Sequence, residues 1–191
     1  NFQIILSLLE LQSIGIEDKK ALELANEGRN RVKSMALIHQ KLYQNESDLI
    51  DFEDYMHILA KELTAIYDAK NKVNISIDSK KMMFDVDTAI PLALILNELI
   101  TNSFKYAFKN ETESILSISL NKFSEENYQL IIKDNGIGLR QDFDIKESKS
   151  FGLKLVERLV RQLQGSLEIT NQSGAKFEIL FKDTKMRKEL I

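Results

Sequence analysis

The run Ile115-Leu116-Ser117-Ile118-Ser119-Leu120-Asn121, the polar turn Ser124-Glu125-Glu126-Asn127 and the run Gln129-Leu130-Ile131-Ile132-Lys133 decide the fold. The first run alternates apolar and polar residues with period two, as a strand with one buried face does. With the second run it reads as a pair of consecutive strands about the turn. Working outward, residues 73–77 (Val-Asn-Ile-Ser-Ile) alternate in the same way. A helix is predicted from Asp87 or Thr88 through Phe108, with Pro91 in its first turn, where a missing N–H costs little. Residues 54–67 and 153–164 also read as helices. Residues 167–170 and 176–181 form a closing hairpin around Ser173-Gly174. Grouped strands with helices on one face predict an α+β sandwich rather than a doubly wound sheet.

Upstream of residue 52 the character is different. Residues 1–16 hold nine large apolar residues, among them Phe2, Ile4, Ile5, Leu8, Leu9, Leu11 and Ile14. A surface helix needs one apolar stripe, so this segment is expected to bury more than one side. Gly15 and Asp18 mark a turn, and a second helix is predicted over 19–44. Two helices joined this closely make an antiparallel hairpin. A hairpin this apolar is expected to pair with a second copy into a four-helix bundle. Packing on its own chain is the other way to cover it. Residues 45–51 read as a linker, so the chain divides into a hairpin over 1–46 and a mixed domain over 52–183.

Composition narrows the chemistry. A net charge of −3 in 191 residues argues against a basic nucleic-acid face. The chain has no cysteine, which excludes disulfides, thiolate metal sites and a cysteine nucleophile. Two histidines, His39 and His57, are too few for a multi-histidine metal centre. No apolar run reaches the roughly 20 residues of a membrane span. Of seven glycines, five (Gly136, Gly138, Gly152, Gly165 and Gly174) lie in the last third, which marks where the backbone turns sharply or approaches something closely.

Three groups of residues carry chemistry. In Asn97-Glu98-Leu99-Ile100-Thr101-Asn102-Ser103-Phe104-Lys105-Tyr106, the residues Glu98, Asn102 and Lys105 are spaced four and three apart, on one helical face. A carboxylate, an amide oxygen and an ammonium on one stripe suit hydrated Mg²⁺ and a polyphosphate. The same stripe also reads as a solvated helix face. Asp134-Asn135-Gly136-Ile137-Gly138 follows a strand. There a carboxylate can accept an exocyclic amine and two glycines admit a flat ligand, but an ordinary turn has the same pattern. Ser150-Phe151-Gly152-Leu153-Lys154-Leu155 opens a helix whose free N–H groups suit phosphate. Between them, residues 139–149 are polar and aperiodic, with the character of a lid or of a plain loop. No Walker A pattern occurs.

Taken together, in this order and context, these elements resemble the nucleotide-binding boxes of the GHKL ATP-binding domain of histidine kinases and gyrase-type ATPases. Residues 98–105 resemble its N-box, 134–138 and 150–155 its first two glycine boxes, and Gly165 with 173–177 its last glycine segment. The front half, notably Ala36-Leu37-Ile38-His39-Gln40-Lys41-Leu42-Tyr43 and residues 1–12, resembles the dimerisation domain of type-2 HisKA sensor histidine kinases. The resemblance implies ATP and Mg²⁺. It makes Asn102 a magnesium ligand, with Glu98 completing the metal or water shell or orienting the reacting groups. Lys105 would offset phosphate charge and Tyr106 would lie near the ribose or phosphates. Asp134 would take the adenine amine, with Gly136 and Gly138 shaping the purine pocket. Ser150, Gly152 and Leu153 would bind nucleotide at the helix start.

The implied activity is phosphorylation of a histidine and relay to a response-regulator receiver domain, from a homodimer with no nucleic-acid or membrane contact by this segment. The implied location is the cytoplasm, with any membrane anchor in a region ahead of residue 1. In this class the acceptor histidine precedes the segment that Asn1 opens, so it is expected just upstream; neither His39 nor His57 is expected to serve. A GHKL-type ATPase, a protein serine kinase and a nucleotide-binding dimerisation module without turnover are the alternatives.

Overall fold

The computed structural model describes residues 2–44, 49–67, 73–108, 113–140, 143, 150–171 and 173–183. Helices α1 (Phe2–Ser13) and α2 (Lys19–Gln44) form the expected hairpin. Gly15 turns the chain at φ +89°, and the Asp18 carboxylate accepts the Ala21 N–H at 2.7 Å to cap α2. The expectation that α1 buries more than one side does not hold within one chain. None of its residues is buried, and Ile4, Leu8, Leu11 and Ile14 are exposed, Ile14 to 72%.

The predicted linker is shorter than expected. Residues 45–48 lie outside the described residues, but Ile50–Asp51 is a two-residue strand, β1, antiparallel to β3 (Met83–Phe84). Ile50 is fully buried, so the segment is tied to the domain that follows. Helix α3 (Phe52–Ile66) starts at once, its N-cap Asp51 accepting from the Asp54 N–H, and buries Phe52, Tyr55, Leu59 and Leu63.

The main sheet holds β2 (Val73–Ser79), β4 (Ser114–Lys122), β5 (Asn127–Asp134), β6 (Ser166–Asn171) and β7 (Ala175–Lys182), in the order β2-β4-β5-β7-β6. Only the β2–β4 pair is parallel; the other three ladders are antiparallel. Register aligns one apolar row across all five strands: Ile77, Ile118, Ile132, Phe177 and Ile169. That row and its neighbours face α3, α4 (Val86–Asn102) and α5 (Phe151–Gln162) in one core. The opposite sheet face carries Ser117, Ser119, Lys133, Lys176 and Glu178, so the fold is the two-layer sandwich that the strand grouping predicts.

Two details of α4 differ from expectation. Asp85 caps it, accepting the Thr88 N–H at 2.9 Å, so the helix starts at Val86. Pro91 is then the sixth helical residue, in the second turn, where its missing N–H removes a helical hydrogen bond. The helix also does not run regularly to Phe108. It widens into a π-helical turn over Ser103–Ala107, a local unwinding common at functional sites.

Candidate functional site

A cleft of about 330 Å³ opens between α4, the start of α5 and α2. Its lining includes Glu98, Asn102, Tyr106, Ser150 and Gly152, which bring the first and third predicted groups together across some fifty residues of sequence. A second cavity of about 590 Å³, beside Tyr67, takes Lys105 and Tyr106. Lys105 lies in the π turn, and its ammonium binds the Glu27 carboxylate of α2, a residue that lines both cavities. Leu153 is buried behind the cleft in α5.

The Asp134 carboxylate is 4% exposed at the end of β5. Register explains this: Asp134 pairs with Leu116, in a row that faces the helices. Its Oδ1 accepts the N–H groups of Gly136 at 3.0 Å and Ala175 at 3.1 Å, and its Oδ2 accepts the Ser103 hydroxyl at 3.1 Å. A carboxylate offers about four acceptor positions, so one on Oδ2 remains among the described residues. Gly136 lies against Ala107, where a Cβ would collide with backbone, and Gly138 (φ +71°) lies against Asn171. Asn171 clamps Leu139, accepting its N–H at 2.8 Å and donating to its carbonyl at 2.6 Å. Of the predicted lid, residues 141–142 and 144–149 lie outside the described residues. Asp134, Gly136 and Gly138 form a separate cluster at the β5 end rather than the wall of either cavity.

In the cleft, Glu98 is 6% exposed. Arg31 of α2 donates from Nε to Oε1 at 2.8 Å and from Nη2 to Oε2 at 2.9 Å, and the Asn97 amide donates to Oε1 at 3.2 Å. Burial pulls the Arg31 guanidinium down, but the hydrogen bonds and charges of Glu98 and Glu27 outweigh it and raise its pKa above the ordinary value. Burial likewise opposes charge on Lys105, and the Glu27 carboxylate reverses the shift upward. The backbone at Gly152 comes so close to Glu98 Oε2 that any Cβ there would collide with it. Thr101 Oγ1, on the cleft wall, is buried without a hydrogen-bond partner among the described residues. Neither Arg31 nor Glu27 was singled out by sequence. The only signal was their i,i+4 spacing on an amphipathic helix, which many solvated pairs share.

His39 of α2 is exposed and meets the Phe2 ring edge-to-face at 5.2 Å between centroids. His57 is exposed on α3. No three His, Cys, Asp or Glu side chains cluster as a metal site among the described residues. No helix among them is long and apolar enough to cross a membrane.

Residues 87–185 match the family described as histidine kinase-, DNA gyrase B-, and HSP90-like ATPase. The chain belongs to that family. Residues 1–67, which take in α3 as well as the hairpin, match HisKA_2, described as histidine kinase. The chain is 27% identical over 169 residues to the sensor histidine kinase PdtaS of Mycobacterium tuberculosis, covering 87% of this chain. It is 22% identical over 145 residues to blue-light-activated histidine kinase 2 of Erythrobacter litoralis, covering 73% of this chain. It spans 34% of the first relative's length and 42% of the second's. The histidine kinase domain of the E. litoralis EL346 blue-light activated kinase has the same fold, with TM-score 0.78 at 19% identity, covering 98% of this chain and 88% of that one.

Proposed function

We propose that this chain is the catalytic core of a two-component sensor histidine kinase, which binds Mg-ATP and passes the γ-phosphoryl group to a histidine for relay to a response-regulator aspartate. The observation that carries the reading is the convergence of Glu98, Asn102 and Tyr106 with the start of α5 in one cleft. The donor set fits the nucleotide and its metal. Asn102 and Glu98 present oxygens, the ligand type Mg²⁺ takes, and two protein ligands suffice because Mg²⁺ keeps waters and binds substrate phosphates. The metal, when bound, supplies charge neutralisation on the transferring phosphoryl group.

The protein groups then have separate tasks. Asp134, held by three donors, offers its remaining acceptor position to the adenine amine. The first N–H groups of α5 at Ser150, Gly152 and Leu153 face the phosphates. Lys105 exchanges Glu27 for phosphate charge. Such positioning and electrostatics are most of what phosphoryl transfer requires. Residues 1–46 serve as the dimerisation and phosphotransfer hairpin and residues 52–183 as the ATP-binding domain. The uncovered stripe Ile4, Leu8, Leu11 and Ile14 supports a homodimer. A receiver domain is the phosphoryl-accepting partner, and a cytoplasmic location fits one. Neither His39 nor His57 is the acceptor.

The test is transfer from γ-labelled ATP in the full-length protein. The expected product is acid-labile and base-stable, and it persists when His39 and His57 are both replaced by Ala. An acid-stable product would overturn the histidine-kinase reading.

A further inference from the structure

Along one face of α2, Glu27, Arg31 and Ser34 recur at i, i+4 and i+7, and each meets a partner in the nucleotide-site helix or its π turn. Glu27 binds Lys105, Arg31 binds Glu98, and Ser34 donates to Asn97 Oδ1 at 3.1 Å. The central contact is built unlike a surface ion pair. The guanidinium engages both Glu98 oxygens in a fork, and its carbon lies 4.9 Å from the centroid of the Phe151 ring. Glu27 flanks it at 3.4 Å. Arg31 thus touches α4 and the first residue of α5, the two walls of the cleft, from a third element.

We propose that the hairpin completes the nucleotide site, with Arg31 as a positioning residue that neutralises and orients Glu98 and holds the start of α5 beside it. The inference rests on the nucleotide reading above. Glu98 is almost wholly buried and faces a cleft assigned to a polyphosphate. A buried carboxylate whose partner is removed becomes an uncompensated charge, here directed at an anionic ligand. Glu98 Oε2 occupies the space that a Cβ at position 152 would need, so the carboxylate lies directly against the start of α5. Arg31 is therefore what makes this wall compatible with phosphate. A lysine cannot replace it fully, because a point charge neither forks across two oxygens nor stacks on a ring.

Binding of a fluorescent ADP in metal-free buffer tests this, where phosphate charge is unscreened. Wild type is compared with Arg31→Gln, Arg31→Lys, Glu98→Gln and the double variant Arg31→Gln/Glu98→Gln, each checked for folding by circular dichroism. Arg31→Gln is expected to weaken binding about tenfold, with Arg31→Lys intermediate, because it uncovers a buried charge. The double variant is expected to return to within about threefold of Glu98→Gln, since removing both charges leaves nothing uncompensated. Equal or tighter binding by Arg31→Gln would overturn the proposal. So would a double variant as weak as Arg31→Gln, which would make Arg31 a docking residue of the hairpin only. If Arg31→Gln does not fold, Arg31→Lys carries the comparison, and wild-type affinity in that variant overturns the proposal. No binding by wild type either in metal-free buffer or with Mg²⁺ supplied would instead remove the nucleotide reading, and the role of Arg31 with it.

Discussion

At Asp134 a single side chain organises three segments. Its oxygens collect the Gly136 and Ala175 N–H groups and the Ser103 hydroxyl, joining the β5 end, the start of β7 and the π turn. Asp134→Ala removes those acceptors together with the remaining one, so nucleotide binding is expected to be lost, as isothermal titration would show. Gly174 supports the same spot from behind. Its φ is +109°, and a Cβ there would collide with the Asp134 carbonyl oxygen. Gly174→Ala is expected to cost about 1–3 kcal/mol from backbone strain alone, read as a lower midpoint in urea unfolding. On the solvent face of the sheet, the Lys176 ammonium holds the Glu178 carboxyl below its ordinary value of 4.5, with burial opposing and Gln129 assisting. A lowered carboxyl contributes stability that is full above the ordinary value and lost as pH falls through the folded one. Lys176→Met should therefore raise the Glu178 titration midpoint in carboxyl NMR; an unmoved midpoint would assign the shift to Gln129.

Among the elements, α1 is the least settled within one chain. Its apolar residues are mostly exposed, and a helix with no buried residue owes its order to a neighbour. Replacing Leu8 and Leu11 by Glu is expected to convert a dimer into a monomer in sedimentation equilibrium while leaving the sheet folded. A monomeric wild type would show that the stripe is not a dimer face. The two-residue strands β1 and β3 illustrate the opposite case. They are too short to stand alone, yet Phe84 of β3 meets Phe52, Tyr128 and Phe181 edge-to-face at centroid distances of 5.0–5.8 Å. Phe84→Ala is expected to cost about 3–5 kcal/mol, as aromatic truncations in cores do.

For the molecule as a whole, the hairpin and the sandwich are joined by polar contacts at the site itself, so ligand occupancy and hairpin docking share residues. A nucleotide held at a hundred times its Kd adds about 2.7 kcal/mol to stability. For a chain of this length that is a rise of about 5–10 °C in Tm. The rise should vanish in Asp134→Ala, and its persistence there would place adenine elsewhere. The two strand hairpins, the boxes and the helical hairpin were legible in the residues, because period-two and period-3.6 patterns and glycine placement are local signals; the strand order, with its parallel β2–β4 pair, was not. The register that turns Asp134 toward the helices was legible only in part, since its partner Leu116 lies eighteen residues away.

What the sequence determined by itself is the set of elements and the residue types at the site, since helical stripes, strand alternation and turn glycines each depend on neighbours a few positions apart. The tertiary structure decided how those residues are used. It widened the helix after Asn102 into a π turn, paired Lys105 with Glu27 of α2, and moved Pro91 out of the first turn by capping the helix at Asp85. It also brought Arg31 onto Glu98 from 67 positions away. No local pattern encodes that pair. A buried carboxylate must find a compensating charge, and which cation reaches it depends on how α2 lies across α4.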